Sequence, residues 1–181
     1  PDKYHTAFMD SIDVRAGTTT GISAGDRART VRALVDGRSQ AADFVKPGHM
    51  FPLKAVPGGV LERAGHTEGA VDLARICGLE PAGVICEILK DDGDMMRMDD
   101  LRSFADRHGL KMTAVSEIVK YRYIHEKLVN MEREINMPTD AGPFRLKLYS
   151  SLVDNKDHLA LVCGSPEQAQ APLVRVHSEC L

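Results

Sequence analysis

The fold class that this sequence predicts is an α/β (α+β) sheet domain followed by an incomplete β-rich segment. Helix-capping signals alternate with short apolar or alternating runs as far as about Tyr123, the pattern of helices packed on a sheet. Beyond residue 137 the pattern changes to FRLKLY, a VDNKD turn, HLALV and LVRVH, which reads as strands joined by tight turns. The size agrees, since 181 residues allow one full domain and part of a second.

Each element has its own signal. Ala7 to Val14 alternates loosely, as a strand does, and the GTTTG stretch from Gly17 to Gly21 is a turn-rich link. Ser23 and Asp26 make the S-x-x-D start of a helix, which satisfies N–H groups that the first turn leaves orphaned. Ala24, Ala28, Val31, Leu34 and Val35 follow on one face, and Gly37 offers a left-handed stop. PGHMFPLKAVPGG holds a short strand punctuated by prolines and glycines. His66-Thr67-Glu68 opens a second helix with Ala70, Val71, Ala74 and Cys77 on its inner stripe.

AGVICEIL then reads as an apolar strand broken only by Glu87, closed by a DDGD turn. A third helix runs from about Asp99 to His108, with aspartates at its positive end and Gly109 beyond it. LKMTAV reads as a strand, and Ser116 as the cap of a helix reaching about Tyr123. The charged stretch that follows is poor in core residues. The expected division is therefore a domain over 1–125, a linker over 126–136 and a second, β-rich segment over 137–181.

Composition narrows the function classes. Lys and Arg number 23 against 26 Asp and Glu, a net charge of −3 with no long run of either sign. That argues against a protein that lives on nucleic-acid phosphates or anionic membranes. No apolar stretch reaches the length of a membrane span and no signal peptide opens the chain, so a cytoplasmic location is expected. The four cysteines include no CxxC pair, which favours reduced thiols, with Cys77 and Cys86 expected in the core. The chain starts at Pro1 and stops at Leu181 directly after a strand-like run, and we expect a fragment truncated at both ends.

Chemistry concentrates in a few places. Arg63-Ala64-Gly65-His66-Thr67-Glu68 lies between a strand-like run and a helix. Free N–H groups at the helix start attract an anion, glycine permits close approach, and Arg63 and Thr67 can add hydrogen bonds to a phosphate. His66 there could bind a divalent metal or move a proton; the plainer alternative is a surface loop with Thr67 as a routine cap and His66 in solvent. Glu87 is an acid among apolar residues. It must face an edge, pair with a cation or border a cleft, and burial without a partner would raise its pKa. His49 follows Pro47-Gly48, a rigid-then-permissive pair that can aim a side chain. Asp91, Asp92 and Asp94 resemble a calcium loop, but the remaining ligand positions are absent, so that turn is structural.

Taken together, SIDVRAGTTTGISAGDRART, KPGHMFPLKAVPGGVLERAGHTEGAVDLA and PAGVICEILKDDGDM closely resemble 3,4-dihydroxy-2-butanone 4-phosphate synthase of riboflavin biosynthesis, over about Tyr4 to Tyr123. MPTDAGPFRLKLYSSLVDNKDHLALVCG with LVRVHSECL resembles the beginning of GTP cyclohydrolase II, which many bacteria and plants fuse to the synthase in this order. The resemblance implies an α/β sheet sandwich with active sites near a homodimer interface. It implies conversion of ribulose 5-phosphate to 3,4-dihydroxy-2-butanone 4-phosphate and formate, using Mg²⁺ (or Mn²⁺) and no organic cofactor. Arg63, Ala64, Gly65, His66 and Thr67 match the family's substrate-binding stretch, with His66 as a magnesium ligand. His49 and Glu87 match catalytic positions, Glu87 also contacting substrate.

Two departures follow from the same resemblance. The family's acidic R-E-N-E-G-D-like loop is not in these residues, and Cys180 matches only the first zinc cysteine of the cyclohydrolase, whose site needs about three protein ligands. The fragment by itself is thus expected to be inactive in both reactions, with GTP a substrate and Zn²⁺ a cofactor only of the full-length parent. The competing expectations are a non-catalytic relative that serves as a binding or assembly partner, and a simple sugar-phosphate-binding module.

Overall fold

A computed structural model of the chain describes residues 6–154 and 156–178. It divides into two compact units, Pro1–Ile124 and His125–Leu181. No helix among the described residues is long and apolar enough to cross a membrane.

In the first unit, β1 (Ala7–Phe8) pairs antiparallel with β4 (Leu53–Lys54), and β2 (Ile12–Val14) with β3 (Phe44–Met50). A bulge between Ile12 and Asp13 shifts the second ladder, so that Ile12 faces Met50 while Asp13 faces Val45. Bulges turn side chains out of the regular alternation, and Ile12, Asp13 and Val14 are all buried. Four helices follow the chain: α1 (Ala24–Val35), α2 (His66–Ile76), α3 (Met98–His108) and α4 (Val115–His125).

The helix starts and stops have local causes. The Ser23 hydroxyl accepts from Asp26 N at 3.1 Å, capping α1 as its spacing predicts. At the end of α3, Gly109 takes the left-handed conformation at φ 62°, which costs a residue without Cβ little. Gly65 rather than Thr67 precedes the first turn of α2, and no side chain caps it. Ser116 lies inside α4 rather than ahead of it.

Burial in this unit departs from the sequence reading. The inner face of α1 carries Asp26 and Thr30, whereas Leu34 and Val35 are exposed. On α2 it carries Glu68, Gly69, Asp72 and Ala74, and Cys77 is exposed. Polar residues can hold these positions because backbone donors saturate them, as the next section shows. Cys86 is exposed as well, not in the core.

Two runs expected as strands form no ladder among the described residues. Residues 82–88 lie outside any strand, with Ile88 O accepting from Met96 N at 3.0 Å and Leu89 bridging Met95 across the DDGD turn. Residues 110–114 likewise lie outside any strand. Strand propensity supplies an extended backbone, but a ladder also needs a neighbour to receive its hydrogen bonds.

The second unit is an antiparallel sheet in the order β5 (Val129–Thr139), β6 (Gly142–Ser151), β7 (Asp157–Cys163). The β6–β7 hairpin follows the predicted FRLKLY and HLALV runs. Most of the stretch read as a linker over 126–136 instead belongs to β5, paired with β6 from Val129↔Ser151 to Thr139↔Gly142. Its charges escaped notice as strand residues because they face partners across the sheet: Arg145 and Lys147 of β6 lie 3.3 and 3.4 Å from Glu134. LVRVH forms no strand, and Val176 there is 92% exposed.

Candidate functional site

The buried polar side chains of the first unit gather at two places. The first is built where β2, β3 and the loop before α1 meet. Asp13, on the bulge of β2, turns both carboxylate oxygens toward His49 of β3. Oδ1 accepts from His49 N at 3.0 Å, and Oδ2 lies 2.7 Å from the ring Nδ1. The Asp13 side chain is 8% exposed and that of His49 41%, so the imidazole is held at its inner edge and open at its outer one. Burial tends to raise the Asp13 pKa, but the hydrogen bonds from His49 and the charge of its ring outweigh it and leave the carboxyl below its ordinary value.

The loop above this pair is held by Asp26. Its Oδ2 accepts from the Thr19 hydroxyl at 2.9 Å, Thr19 N at 3.3 Å and Gly21 N at 3.2 Å. These bonds, led by the Thr19 hydroxyl, hold the Asp26 carboxyl below its ordinary value. Thr30, one turn further along α1, accepts from Val14 N at 3.0 Å and donates to Asp26 O at 3.1 Å. Gly21 sits at φ 85°, and a Cβ there would overlap Asp13 Oδ2 and lie 2.8 Å from His49 Nδ1. Only glycine lets this loop close over the pair.

The second place is the start of α2. Arg63, Ala64, Gly65, His66 and Thr67 enter it consecutively, with His66 as the first helical residue and exposed. Arg63 donates to Glu68 Oε2 at 2.5 Å and to the Thr6 hydroxyl at 3.0 Å. Glu68 is 1% exposed, and its other oxygen accepts from Val56 N at 3.2 Å. One turn on, Asp72 accepts from Val60 N, Arg122 and Arg75, each at 2.8 Å. Arg122 also donates to Gly58 O, so α4 is tied to the turn that leads into Arg63.

The structure thus brings Arg63 through Thr67 together at one helix start and sets His49 against Asp13 at another point. Glu87 lies on the run over 82–88, outside any strand, and is exposed. That run crosses α2 at Gly83, where a Cβ would lie 3.0 Å from Ala70 Cβ. His49, His66 and Glu87 make no hydrogen bond or ion pair with one another. Cys180 lies outside the described residues. Sequence reasoning missed Asp13 and Asp72 and gave Glu68 no role beyond the start of α2; an acid inside the apolar SIDV run was a signal of the same kind as Glu87 in VICEIL.

A metal finds no complete site here. Among the described residues no group of three or more His, Cys, Asp or Glu side chains could hold one. His66 offers a single nitrogen, whereas Mg²⁺ takes oxygen ligands in near-octahedral geometry. The nearby carboxylate of Glu68 is already engaged by Arg63 and Val56 N.

Small sheets with helices, a loop closed by buried carboxylates and a histidine-bearing helix start define an α+β domain with the polar apparatus of an enzyme. Residues 1–121 match the family described as 3,4-dihydroxy-2-butanone 4-phosphate synthase, and residues 130–181 that of GTP cyclohydrolase II. The chain belongs to the 3,4-dihydroxy-2-butanone 4-phosphate synthase family, followed by the start of a GTP cyclohydrolase II region. It is 54% identical to the riboflavin biosynthesis protein RibBA of Bacillus cereus over 99% of its length, and 53% identical to that of Bacillus mycoides over the same share. It spans 45% of the length of each.

Solved structures agree. RibBX, a two-domain 3,4-dihydroxy-2-butanone 4-phosphate synthase from A. baumannii, matches with a TM-score of 0.76 and 45% identity, covering 93% of this chain and 50% of that one. A 3,4-dihydroxy-2-butanone 4-phosphate synthase in complex with two magnesium ions matches with a TM-score of 0.61 and 37% identity, covering 69% of this chain and 63% of that one.

Proposed function

We propose that this chain carries the sugar-phosphate-handling core of a 3,4-dihydroxy-2-butanone 4-phosphate synthase and acts in a polypeptide of the relatives' length, whose second part is a GTP cyclohydrolase II. The observation that carries the reading is the family match across residues 1–121, which includes every residue assigned a role in the synthase reaction. The reaction converts ribulose 5-phosphate to 3,4-dihydroxy-2-butanone 4-phosphate and formate. It proceeds by enediol formation, loss of water, a shift of the carbon skeleton and release of the carbon fragment.

Enediol formation and loss of water each move a proton at an oxygen or carbon, which is work for an imidazole or a carboxylate. His49 takes and returns protons through its outer edge, and Glu87 does so from an exposed position beside α2. Arg63, Ala64, Gly65 and Thr67 receive the substrate at the helix start, where N–H groups favour an anion. His66 would contribute one ligand of a Mg²⁺ or Mn²⁺ ion, which would supply positive charge to stabilise substrate oxygens. In the second part, Cys180 supplies a zinc ligand for the cyclohydrolase that uses GTP. A cytoplasmic homodimer suits both activities.

The test is formate release from ribulose 5-phosphate with Mg²⁺, by the chain alone and by a polypeptide extended to the relatives' length. The extended protein should release formate, and His66→Ala or Glu87→Ala should abolish it. A folded extended protein that releases none would remove the reading, and full activity in either variant would remove that residue's role.

A further inference from the structure

We infer that Asp13 is the positioning residue of His49: it fixes the imidazole as the Nδ1–H tautomer and leaves Nε2 as the basic nitrogen at the open edge. The inference rests on the proposed catalytic role of His49 and adds a residue to which neither the sequence pattern nor the family match assigns a role.

The geometry supports it from three directions. Asp13 holds His49 twice, by the backbone N at 3.0 Å and the ring Nδ1 at 2.7 Å, so both the strand and the ring plane are set by one carboxylate. An ionised carboxylate only accepts hydrogen bonds, so a ring nitrogen at 2.7 Å must carry the proton. The carboxyl of Asp13 lies below its ordinary pKa, which keeps it an acceptor across neutral pH. Finally, the loop that Asp26 anchors lays Gly21 against both partners, where a Cβ would overlap Asp13 Oδ2 and lie 2.8 Å from His49 Nδ1.

The consequence is a division of labour. An imidazole whose Nδ1–H is donated to Asp13 has one free lone pair, on Nε2, in a side chain that is 41% exposed. A neutral ring that could exchange tautomers would spend part of its time with Nε2 protonated and unable to accept a proton. Holding the ring removes that fraction and fixes the direction from which a proton arrives. Asp13 itself is almost wholly covered and both of its carboxylate oxygens meet His49, so its effect passes through His49.

The experiment reads the tautomer first. Proton–nitrogen correlation spectra of imidazole-labelled protein, with the His49 signals assigned by their loss in His49→Gln, should show Nδ1 protonated and Nε2 unprotonated near pH 8. In Asp13→Asn the carboxamide can donate to Nδ1, so the ring should shift toward Nε2–H. The extended polypeptide carrying the same change should lose about a hundredfold or more in kcat, with KM little changed, by analogy of role with a buried aspartate that holds a catalytic histidine. Asp13→Glu should recover part of that loss if its longer carboxylate reaches Nδ1.

A wild-type ring protonated on Nε2, or a tautomer unmoved by Asp13→Asn, overturns the inference. The wild-type spectrum needs no variant, so a poorly folding Asp13→Asn does not leave the matter open. If the tautomer shifts while His49→Gln keeps full activity, the catalytic role of His49 fails instead, and with it the purpose assigned to Asp13. The two failures thus give different spectra and different rates.

Discussion

Within the first unit, the pair of buried polar clusters, one around Asp13 and Asp26 and one around Glu68 and Asp72, contrasts with the run from Glu80 to Leu89. The first is charged and buried; the second is apolar and exposed, with Val84 at 69% and Ile85 at 46%. This inverts the usual placement of these residue types. The carboxylates tolerate burial because each meets backbone N–H groups, arginines or hydroxyls, and no buried side-chain nitrogen or oxygen among the described residues lacks a partner. The apolar run stays open because an extended segment gains little until another surface meets it. Satisfied hydrogen bonds, more than apolar area, hold these clusters in place.

The sharpest way to break that comparison is to remove one carboxylate. Asp72 gathers Val60 N, Arg75 and Arg122, and its side chain is 1% exposed. Asp72→Ala removes a carboxylate that the partly buried Arg122 guanidinium contacts and orphans the Val60 N–H. Removing one partner of a buried pair costs about 3–5 kcal/mol. Urea denaturation of the chain should show a fall in midpoint of that scale with an unchanged slope. A change under about 1 kcal/mol would show that the buried charges do not carry the fold.

A smaller effect should follow acidification. Asp13 and Asp26 both lie below the ordinary carboxylate value of 3.8. Groups with depressed folded values stabilise the protein fully above the unfolded value, and the contribution drains away as pH falls through the folded one. Stability should therefore hold steady above about pH 5 and decline below about pH 4. Asp26→Asn should flatten part of that decline, since an amide does not titrate there. A urea midpoint whose acid limb is identical in the variant would show that the Thr19 and Gly21 bonds do not favour the charged form.

The same contrast explains what could be read in the sequence. Ser23 and Gly109 were legible because their partners lie within a helical turn, and the β6–β7 hairpin because its strands are joined by a short turn. The start of α2 was legible too, and with it the cluster from Arg63 to Thr67. Asp13 was not, since its partner His49 lies 36 residues away and nothing local predicts the bulge that turns it inward. Asp72 depends on Arg122, 50 residues along the chain. AGVICEIL has the composition of a paired strand, but pairing is a property of two segments, and one segment alone could not disclose it. The charges of β5 misled in the opposite sense, because cross-strand ion pairs with Arg145 and Lys147 make them suitable for a sheet.

The weakest effect should come from the apolar run itself. Val84→Thr and Ile85→Thr keep the β-branched shape and the extended preference while replacing a methyl or ethyl group with a hydroxyl. In a core the new hydroxyl would be buried and would need a partner, a cost of about 1–3 kcal/mol. At exposed positions the change falls within about 0.5 kcal/mol. Urea midpoints of the two variants should accordingly match the wild type, while binding of an apolar dye to the chain should fall as the exposed surface becomes more polar. A loss of more than about 1 kcal/mol at Ile85 would mean that the run is covered in solution. The clusters and the run would then be alike in being packed, and the stability of the unit would have to be divided between them.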